Sequence, residues 1–283
     1  MTRLSDLAPL RAFKTPKGMI AGGWMLVVIL LAVFAHWIAP YDYAAQNLPQ
    51  AYAPPGNGYL LGTDELGRDL LSRIIYGART SLSVAITSIS VSVVAGMILG
   101  AAAGYYGGLF DRIVTTTVDL TWSFPEILIA LILVAIIGSG LQTTMIAIAI
   151  AYLAQFTRLT RAQIMSIKAE TYVEASRSLG ASDFHIVFRH LIPNALPPVL
   201  VTAMMATGDA IILEATLGFF GLGAQPPTPS WGAMMSSGSA LMFKAPGIIL
   251  FPGIVLALTV IAINIYGDAL IRALDLRERL REA

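Results

Sequence analysis

Long apolar stretches are the feature that most constrains how this chain can fold. A helix that crosses a lipid bilayer needs about 20 apolar residues, and six stretches of roughly that length occur in the sequence. Only 12% of the 283 residues are charged, about half the share in a soluble domain. Because so much apolar surface cannot be buried inside one globule of this size, we predict an all-α integral membrane protein with six transmembrane helices. The predicted spans are Gly18–Ala39, Thr80–Gly104, Ile113–Ile137, Leu141–Leu159, Leu196–Phe220 and Gly247–Ile271.

The lysine and arginine residues indicate how these spans are oriented. With the N-terminus in the cytoplasm, the cytoplasmic segments hold 14 of the 18 lysine and arginine residues. Such an excess is typical of the cytoplasmic side, so both termini are predicted to be cytoplasmic. The first stretch follows four basic residues, as the apolar part of a cleaved signal peptide would. Its length and the interfacial pair His36–Trp37 favour an uncleaved helix.

Composition and motifs argue against several classes of function. The net charge of +1 is not that of a strongly basic nucleic-acid-binding protein. The chain has no cysteine, and its three histidines form no convincing metal cluster, because His185 and His190 are five residues apart and fit one α-helical face poorly. The phosphate-binding motif Gly-x-x-x-x-Gly-Lys-Ser/Thr does not occur. We therefore expect no metal, no cofactor and no ATPase or other catalytic site in this chain.

The predicted cytoplasmic connection Arg158–Asn194 has the pattern of two short helices rather than that of a flexible linker. Its first half carries an apolar stripe and ends at Gly180, a residue type that commonly stops a helix. Ser182 or Asp183 can cap the second half, and Pro193 is expected to end it. The apolar residues are Tyr172, Ala175 and Leu179 in the first half, and Phe184, Val187, Phe188 and Leu191 in the second.

The same connection resembles the EAA loop of permease subunits in binding-protein-dependent ABC importers. The residues that carry the resemblance are Glu174, Ala175, Ser176, Gly180, Ile192 and Pro193. The chain departs from the family pattern at Ser176, which replaces Ala, at His190, which replaces Ile, and at Ile192, which replaces Leu. The resemblance implies a MetI-like permease core and a coupling helix that docks on an ATPase subunit. The alternative from the residues alone is an amphipathic hairpin that lies on the lipid surface.

Two further segments resemble the dipeptide and oligopeptide importers, specifically the C-type member of their two unlike permeases. They contain the motifs LGTDELGRD from residue 61 and LGFFGLG from residue 217. The resemblance implies a bacterial cytoplasmic membrane protein that acts with a second unlike permease, two cytoplasmic ABC ATPase subunits and a periplasmic or lipid-anchored substrate-binding protein. Importers of nickel, glutathione and opines share this branch, so the solute stays open.

These features predict a three-part organisation. Residues 1–79 form a cytoplasmic tail, the first span and an external segment; residues 80–272 form the permease domain, with the EAA-like loop at 166–194; and residues 273–283 form a cytoplasmic tail. An ion-coupled secondary transporter is a competing class, but such proteins often contain two related halves and we find no convincing repeat. An intramembrane enzyme would need a nucleophile–base pair or a metal cluster.

Polar residues within this apolar chain have two interpretations each. Four acidic residues lie in or near the spans: Asp119, Glu126, Asp209 and Glu214. They either line a path for the solute, or they lie near the ends of the spans or form pairs that help the helices to pack. The external group Asp64, Arg68 and Asp69 either contacts a binding protein or forms a turn in which the charged side chains pair with one another.

Three other patterns predict local structure. Pro125 is expected to kink the third span. Trp231 is expected to anchor an external loop at the membrane interface. Gly96, Gly100 and Gly104 are four residues apart, a spacing that permits close helix packing.

Overall fold

The computed structural model describes residues 15–56 and 58–282, with side chains as far as residue 272. The predicted basic tail, residues 1–14, lies outside the described residues, and so do the side chains of the tail 273–283. The described residues are mostly helical, and the strand-like pairing among them amounts to two isolated bridges, 56–59 and 63–69. The longer helices are α1 (Pro16–Val33), α2 (Leu70–Tyr106), α3 (Gly108–Trp122), α4 (Glu126–Ile137), α5 (Leu141–Lys168), α6 (Thr171–Ser178), α7 (Asp183–Phe219), α8 (Trp231–Ser239) and α9 (Gly247–Glu282). Two short helical turns, Ala35–Ile38 and Leu48–Gln50, lie between α1 and α2.

Four helices, α1, α2, α7 and α9, are long and apolar enough to cross a membrane. The third predicted span is instead divided into α3 and α4, which meet at an angle of 94° and make a fifth span if taken together. A single kinked helix over Ile113–Ile137 was therefore the wrong prediction. Pro125 has no N–H, and its ring disfavours a helical conformation at Phe124, so the chain breaks there rather than bends.

The fourth predicted span corresponds to α5, which is more polar than the others and continues beyond Leu159 to Lys168. It is 28 residues long, which at 1.5 Å per residue is about 42 Å. The helix packs along α2, and residues such as Ile148 and Phe156 are completely buried. Because neighbouring helices cover much of α5, it needs less apolar surface than a helix that faces lipid.

Close packing of α2 against α5 depends on the predicted glycine stripe. A Cβ atom at Gly100 would lie 2.5 Å from the carbonyl oxygen of Thr157, and Cβ atoms at Gly96 and Gly104 would also come within 3 Å of α5. The two helices therefore meet backbone against backbone, as the spacing predicts. Two serine hydroxyls of α2 donate to α5 carbonyl oxygens: Ser88 to Met145 at 2.9 Å and Ser92 to Ala149 at 2.6 Å.

The charged group of the external segment is buried and bonded within the chain. Arg68 Nε donates to Asp64 Oδ2 at 2.6 Å, and Arg73 Nε lies 3.3 Å from the same oxygen. Asp69 caps α2 by accepting from the backbone N–H of Ser72 at 2.8 Å. Asp64, Arg68 and Asp69 are each less than 10% exposed. This geometry favours the salt-bridge turn over a binding-protein contact made by these three side chains, because a partner could not reach them.

Trp231 is completely buried, so the prediction that it anchors a loop at the membrane interface was wrong. Its indole Nε1–H donates to the carbonyl oxygen of Ile74 at 3.2 Å, and its ring lies against Gly77. A buried indole usually finds such a hydrogen-bond partner. Trp231 therefore ties the start of α8 to the first turns of α2.

Candidate functional site

The first helix of the 166–194 loop, α6, ends in a glycine-based stop. Gly180 has a φ of +84°. Its N–H donates to the carbonyl oxygen of Arg177 at 3.0 Å, and the N–H of Ala181 donates to that of Ser176 at 3.1 Å. This pair of bonds is the Schellman motif. Because glycine adopts the left-handed conformation without strain, the prediction that Gly180 stops the helix is confirmed.

The second half of the loop begins as predicted but does not end at Pro193. Ser182 caps the first turn by accepting from the N–H of His185 at 3.3 Å. A wide π-helical turn over Ile186–Leu191 follows, and the helix continues as α7 to Phe219. A proline inside an α-helix clashes with the carbonyl group four residues earlier, and the π-helical turn lies where that clash would occur. Pro193 therefore accompanies a widened turn instead of a helix end.

The loop has one face against the bundle and one face turned outward. The inner face belongs to a buried cluster of Val173, Ile186 and Leu191 with Ala101, Tyr105, Ile164 and Ala195. The outer face carries large exposed apolar side chains: Tyr172, Leu179, Phe184 and Phe188. Leu179 is 88% exposed, and the rings of Phe184 and Phe188 are 4.3 Å apart. An exposed apolar patch of this kind marks a surface for another protein or for lipid.

The six predicted coupling residues are distributed over this loop. Glu174 and Ala175 have exposed side chains on α6, and Pro193 is exposed at the start of the regular part of α7, next to a half-buried Ile192. The Oγ atom of Ser176 lies 3.3 Å from Nε2 of His190. That contact links the two halves of the loop across the turn at Gly180.

Tyr172 contributes a polar group to the outer face. Partial burial, together with the charge of Glu170, raises the pKa of Tyr172 above its ordinary value. Its oxygen accepts a hydrogen bond from Nδ2 of Asn194 at 3.4 Å, which joins α6 to the first turns of α7.

His185 and His190 lie closer together than the sequence predicted. A π-helical turn closes hydrogen bonds between residues five apart, and their imidazole centroids are 5.5 Å apart. The interpretation that they do not share a face was therefore wrong, because it assumed an α-helix. Within the described part of the chain, no group of three His, Cys, Asp or Glu residues could hold a metal ion, and no metal site is assigned.

Tyr105, at the end of α2, connects the bundle to the loop and was not among the predicted site residues. Its hydroxyl donates to Oδ1 of Asp183 at 2.5 Å and accepts from Nη2 of Arg177 at 3.4 Å. Its carbonyl oxygen accepts from Nζ of Lys168 at 2.5 Å. The sequence around it, Tyr-Tyr-Gly-Gly, indicates a turn after a span and carries no signal for these contacts.

The helix α3 is held to the bundle by an ion pair rather than by apolar burial. None of its 15 residues is buried. Arg161 of α5 donates two hydrogen bonds to Asp111, at 2.5 and 2.7 Å, a bidentate geometry that fixes direction as well as distance. Much of the surface of α3 is therefore available to another chain.

The four acidic residues of the predicted path separate into two groups. Asp119, Glu126 and Asp209 have exposed side chains. Glu126 lines a cavity of about 340 Å³ at the break between α3 and α4, beside α5. Glu214 is completely buried beside the hydroxyl groups of Ser81 and Ser230, and neither carboxylate oxygen has a hydrogen bond of standard geometry. The structure thus brings Glu214 into the protein interior, away from the three exposed carboxylates.

A helical membrane bundle with a span divided into two helices, and with a loop that presents an apolar outer face, is typical of the transmembrane subunit of a transporter. The chain belongs to the family of binding-protein-dependent transport system inner membrane components, whose model matches residues 92–280. The N-terminal transmembrane domain of oligopeptide transport permease C matches residues 8–55. Membership implies ATPase and substrate-binding partners, and the predicted family is confirmed.

Relatives and solved structures agree with this family. The chain is 42% identical over 268 residues to the glutathione transport system permease protein GsiD of Pectobacterium atrosepticum, covering 94% of this chain and 88% of the relative. It is 41% identical to the di/tripeptide transport system permease protein DppC of Pseudomonas aeruginosa, covering 94% and 90%. The fold is similar to that of the MetNI methionine ABC transporter in inward-facing form, with a TM-score of 0.59, 22% identity, and coverage of 71% of this chain and 95% of that one. The predicted MetI-like fold is confirmed.

Proposed function

We propose that this chain is one of two unlike permease subunits of an ABC importer that carries di- or oligopeptides, or a related solute such as glutathione, across the bacterial cytoplasmic membrane. Two cytoplasmic ATPase subunits supply the energy, and a periplasmic or lipid-anchored binding protein delivers the solute. The observation that carries the proposal is the outward apolar face of the 166–194 loop on a transmembrane bundle. The names of the relatives favour a peptide-like solute, since glutathione is itself a tripeptide.

In this proposal the loop is the surface that docks on an ATPase subunit. Exposed Leu179 and the neighbouring rings of Phe184 and Phe188 enter an apolar groove of the ATPase. Glu174, exposed beside them, adds a charge that orients the docked helix. The coupling role extends over the whole matched set, which is Glu174, Ala175, Ser176, Gly180, Ile192 and Pro193. The inner face, buried against α2 and α5, makes the loop stiff enough to pass on a displacement.

The solute path is proposed to contain Asp119, Glu126 and Asp209. Ionisable side chains that face lipid are costly, so exposed carboxylates on these helices are better placed against the partner permease or in a water-filled path. The charges of Glu126 and Asp209 are close enough to interact, which suits a solute with an ammonium group. Glu214 is left out of the path because it is buried.

The external turn is proposed to act on the binding protein indirectly. Asp64, Arg68 and Asp69 are closed off by their own ion pairs and hydrogen bonds. Their role is to hold the external segment in one shape, so that the exposed residues around them form the contact surface. Removal of the Asp64–Arg68 pair would then weaken docking through a change in that shape.

An import assay tests the function. The complex that copurifies with this chain is placed in proteoliposomes with ATP inside, and binding protein with labelled dialanine or labelled glutathione outside. We expect uptake that needs both ATP and the binding protein. The matched control carries a substitution of the phosphate-binding lysine in the ATPase partner and should import nothing. Uptake driven by an ion gradient without ATP would instead identify a secondary transporter.

Cysteine labelling tests the proposed orientation, with both termini in the cytoplasm. The chain has no cysteine of its own, and Ser178 and Ser237 are both exposed. We expect Ser237→Cys to react with a membrane-impermeant thiol reagent in intact cells. Ser178→Cys, in chain expressed without its ATPase partners, should react only after permeabilisation. The reverse pattern would place the 166–194 loop outside and remove its access to an ATPase.

A further inference from the structure

The end of α2 is joined to the 166–194 loop by non-covalent contacts alone. The loop is covalently continuous with α5 at one end and with α7 at the other, whereas α2 leads through Gly107 and Gly108 into α3. Both glycines have positive φ values, +69° and +66°, and a Cβ at either would meet open space. Any displacement of the loop can therefore reach α2 only across non-covalent contacts.

Tyr105 makes contacts with three different parts of this region at once. Its hydroxyl donates to Asp183, the first residue of α7, and accepts from Arg177 of α6. Its carbonyl oxygen accepts from Lys168, the last residue of α5. The Lys168 ammonium and the Arg177 guanidinium also lie over its ring, at 5.2 and 5.8 Å from the centroid. Hydrogen bonds to charged groups are comparatively strong, and the one to Asp183, at 2.5 Å, is short. Cations over an aromatic face add to them.

The ring of Tyr105 is buried while its hydroxyl reaches the charged groups of the loop. Tyr105 is 4% exposed and belongs to the same apolar cluster as Val173 of α6, Ile186 and Leu191. One side chain therefore combines apolar packing with a directional polar link. The neighbouring Tyr106 is 67% exposed and does not belong to that cluster.

We infer that Tyr105 is a positioning residue through which displacement of the 166–194 loop reaches α2. The inference rests on the proposed coupling role of the loop. The helix α2 is 37 residues long, is packed backbone to backbone on α5, and holds Trp231 near its other end. A displacement of Tyr105 is therefore transmitted along α2, as a rigid helix, to the opposite side of the bundle.

The variant Tyr105→Phe tests the inference, because it keeps the ring, its packing and the carbonyl bond to Lys168 but removes the hydroxyl. The test uses the complete complex in proteoliposomes, with dialanine and glutathione as probes, and measures the amount of solute imported per ATP hydrolysed. We expect this ratio to fall about five-fold, the effect of one lost hydrogen bond on an equilibrium. Tyr106→Phe, the same change one residue away, should leave the ratio unchanged.

A double-mutant cycle with Asp183→Ala, which removes the acceptor oxygen, identifies the partner of the hydroxyl. If the two groups act as one link, the loss in the double variant should be no greater than in either single variant. A purely structural role would lower the melting temperature or the yield of Tyr105→Phe complexes and leave solute imported per ATP at the wild-type value, and that result would overturn the inference. Absence of solute-stimulated ATP hydrolysis in the wild-type complex would overturn the proposed function itself, and with it this inference.

Discussion

Substitution of Gly180 by valine is expected to reduce solute-stimulated ATP hydrolysis and import at least about ten-fold. Gly180 has a φ of +84° and open space around its missing Cβ, so the valine would not clash with a neighbour. The cost is backbone strain, which for a non-glycine residue in this region is about 1–3 kcal/mol. Relief of that strain requires the end of α6 to unwind, which displaces Leu179 and the rest of the proposed docking face. The measurement is the ATPase rate of the purified complex with and without loaded binding protein.

The structure offers a closely matched control at Gly221. There too a glycine with positive φ, +75°, closes a helix through a Schellman motif and faces open space. Gly221 follows the C-terminal end of α7, whereas Gly180 precedes its N-terminal end, so the two glycines lie at opposite ends of that helix. Gly221→Val imposes the same strain far from the docking face and should leave stimulated hydrolysis near the wild-type rate. Equal losses in both variants would mean that general destabilisation, rather than coupling, explains the effect.

Substitution of Gly100 by leucine is expected to give the largest loss of stability. Its Cβ would lie 2.5 Å from the carbonyl oxygen of Thr157, 2.8 Å from Cβ of Thr160 and 2.9 Å from the backbone nitrogen of Arg161. Two of these are backbone atoms and cannot rotate away, so α2 and α5 must separate. Overpacking of this kind costs about 1–3 kcal/mol, and more where backbone must move. We expect a lower melting temperature in detergent and a reduced yield of folded chain.

Gly23→Leu is the control for this prediction. Gly23 lies inside α1, also in a helical conformation, but nothing lies within 4 Å of a Cβ placed there. The same increase in side-chain size should therefore leave the melting temperature nearly unchanged. If Gly100→Leu melts at the wild-type temperature, the close approach of α2 and α5 is not as described.

Properties that depend on short stretches of sequence were predicted well. The spans α1, α2, α7 and α9 follow from apolar length, which is a local property. The helix stop at Gly180 and the cap at Ser182 follow from the conformational preferences of single residues. The EAA-like spacing and the two longer motifs identified the family for the same reason, because they are patterns along the chain.

Predictions that assumed regular helix geometry were less successful. The third span was predicted as a single kinked helix, but α3 and α4 meet at 94°. His185 and His190 were predicted to lie on different faces because an α-helix was assumed. Pro193 was expected to end the second half of the loop. In both cases the π-helical turn over Ile186–Leu191 changed the outcome. Local rules do not predict such a turn, because its wider hydrogen bonds are stable only when the surrounding packing supports them.

The sequence by itself determined that this chain is a helical membrane permease with an EAA-like loop, since apolar length, charge distribution and motif spacing are all properties of the linear sequence. Only the tertiary structure decided which polar and aromatic residues are buried. Trp231 bonds to Ile74, 157 residues away, and Tyr105 bonds to Asp183, 78 residues away. Burial of Glu214 and Trp231, and the meeting of three segments at Tyr105, arise from contacts between distant parts of the chain. No pattern within one segment can specify such contacts, because each partner is supplied by a different helix.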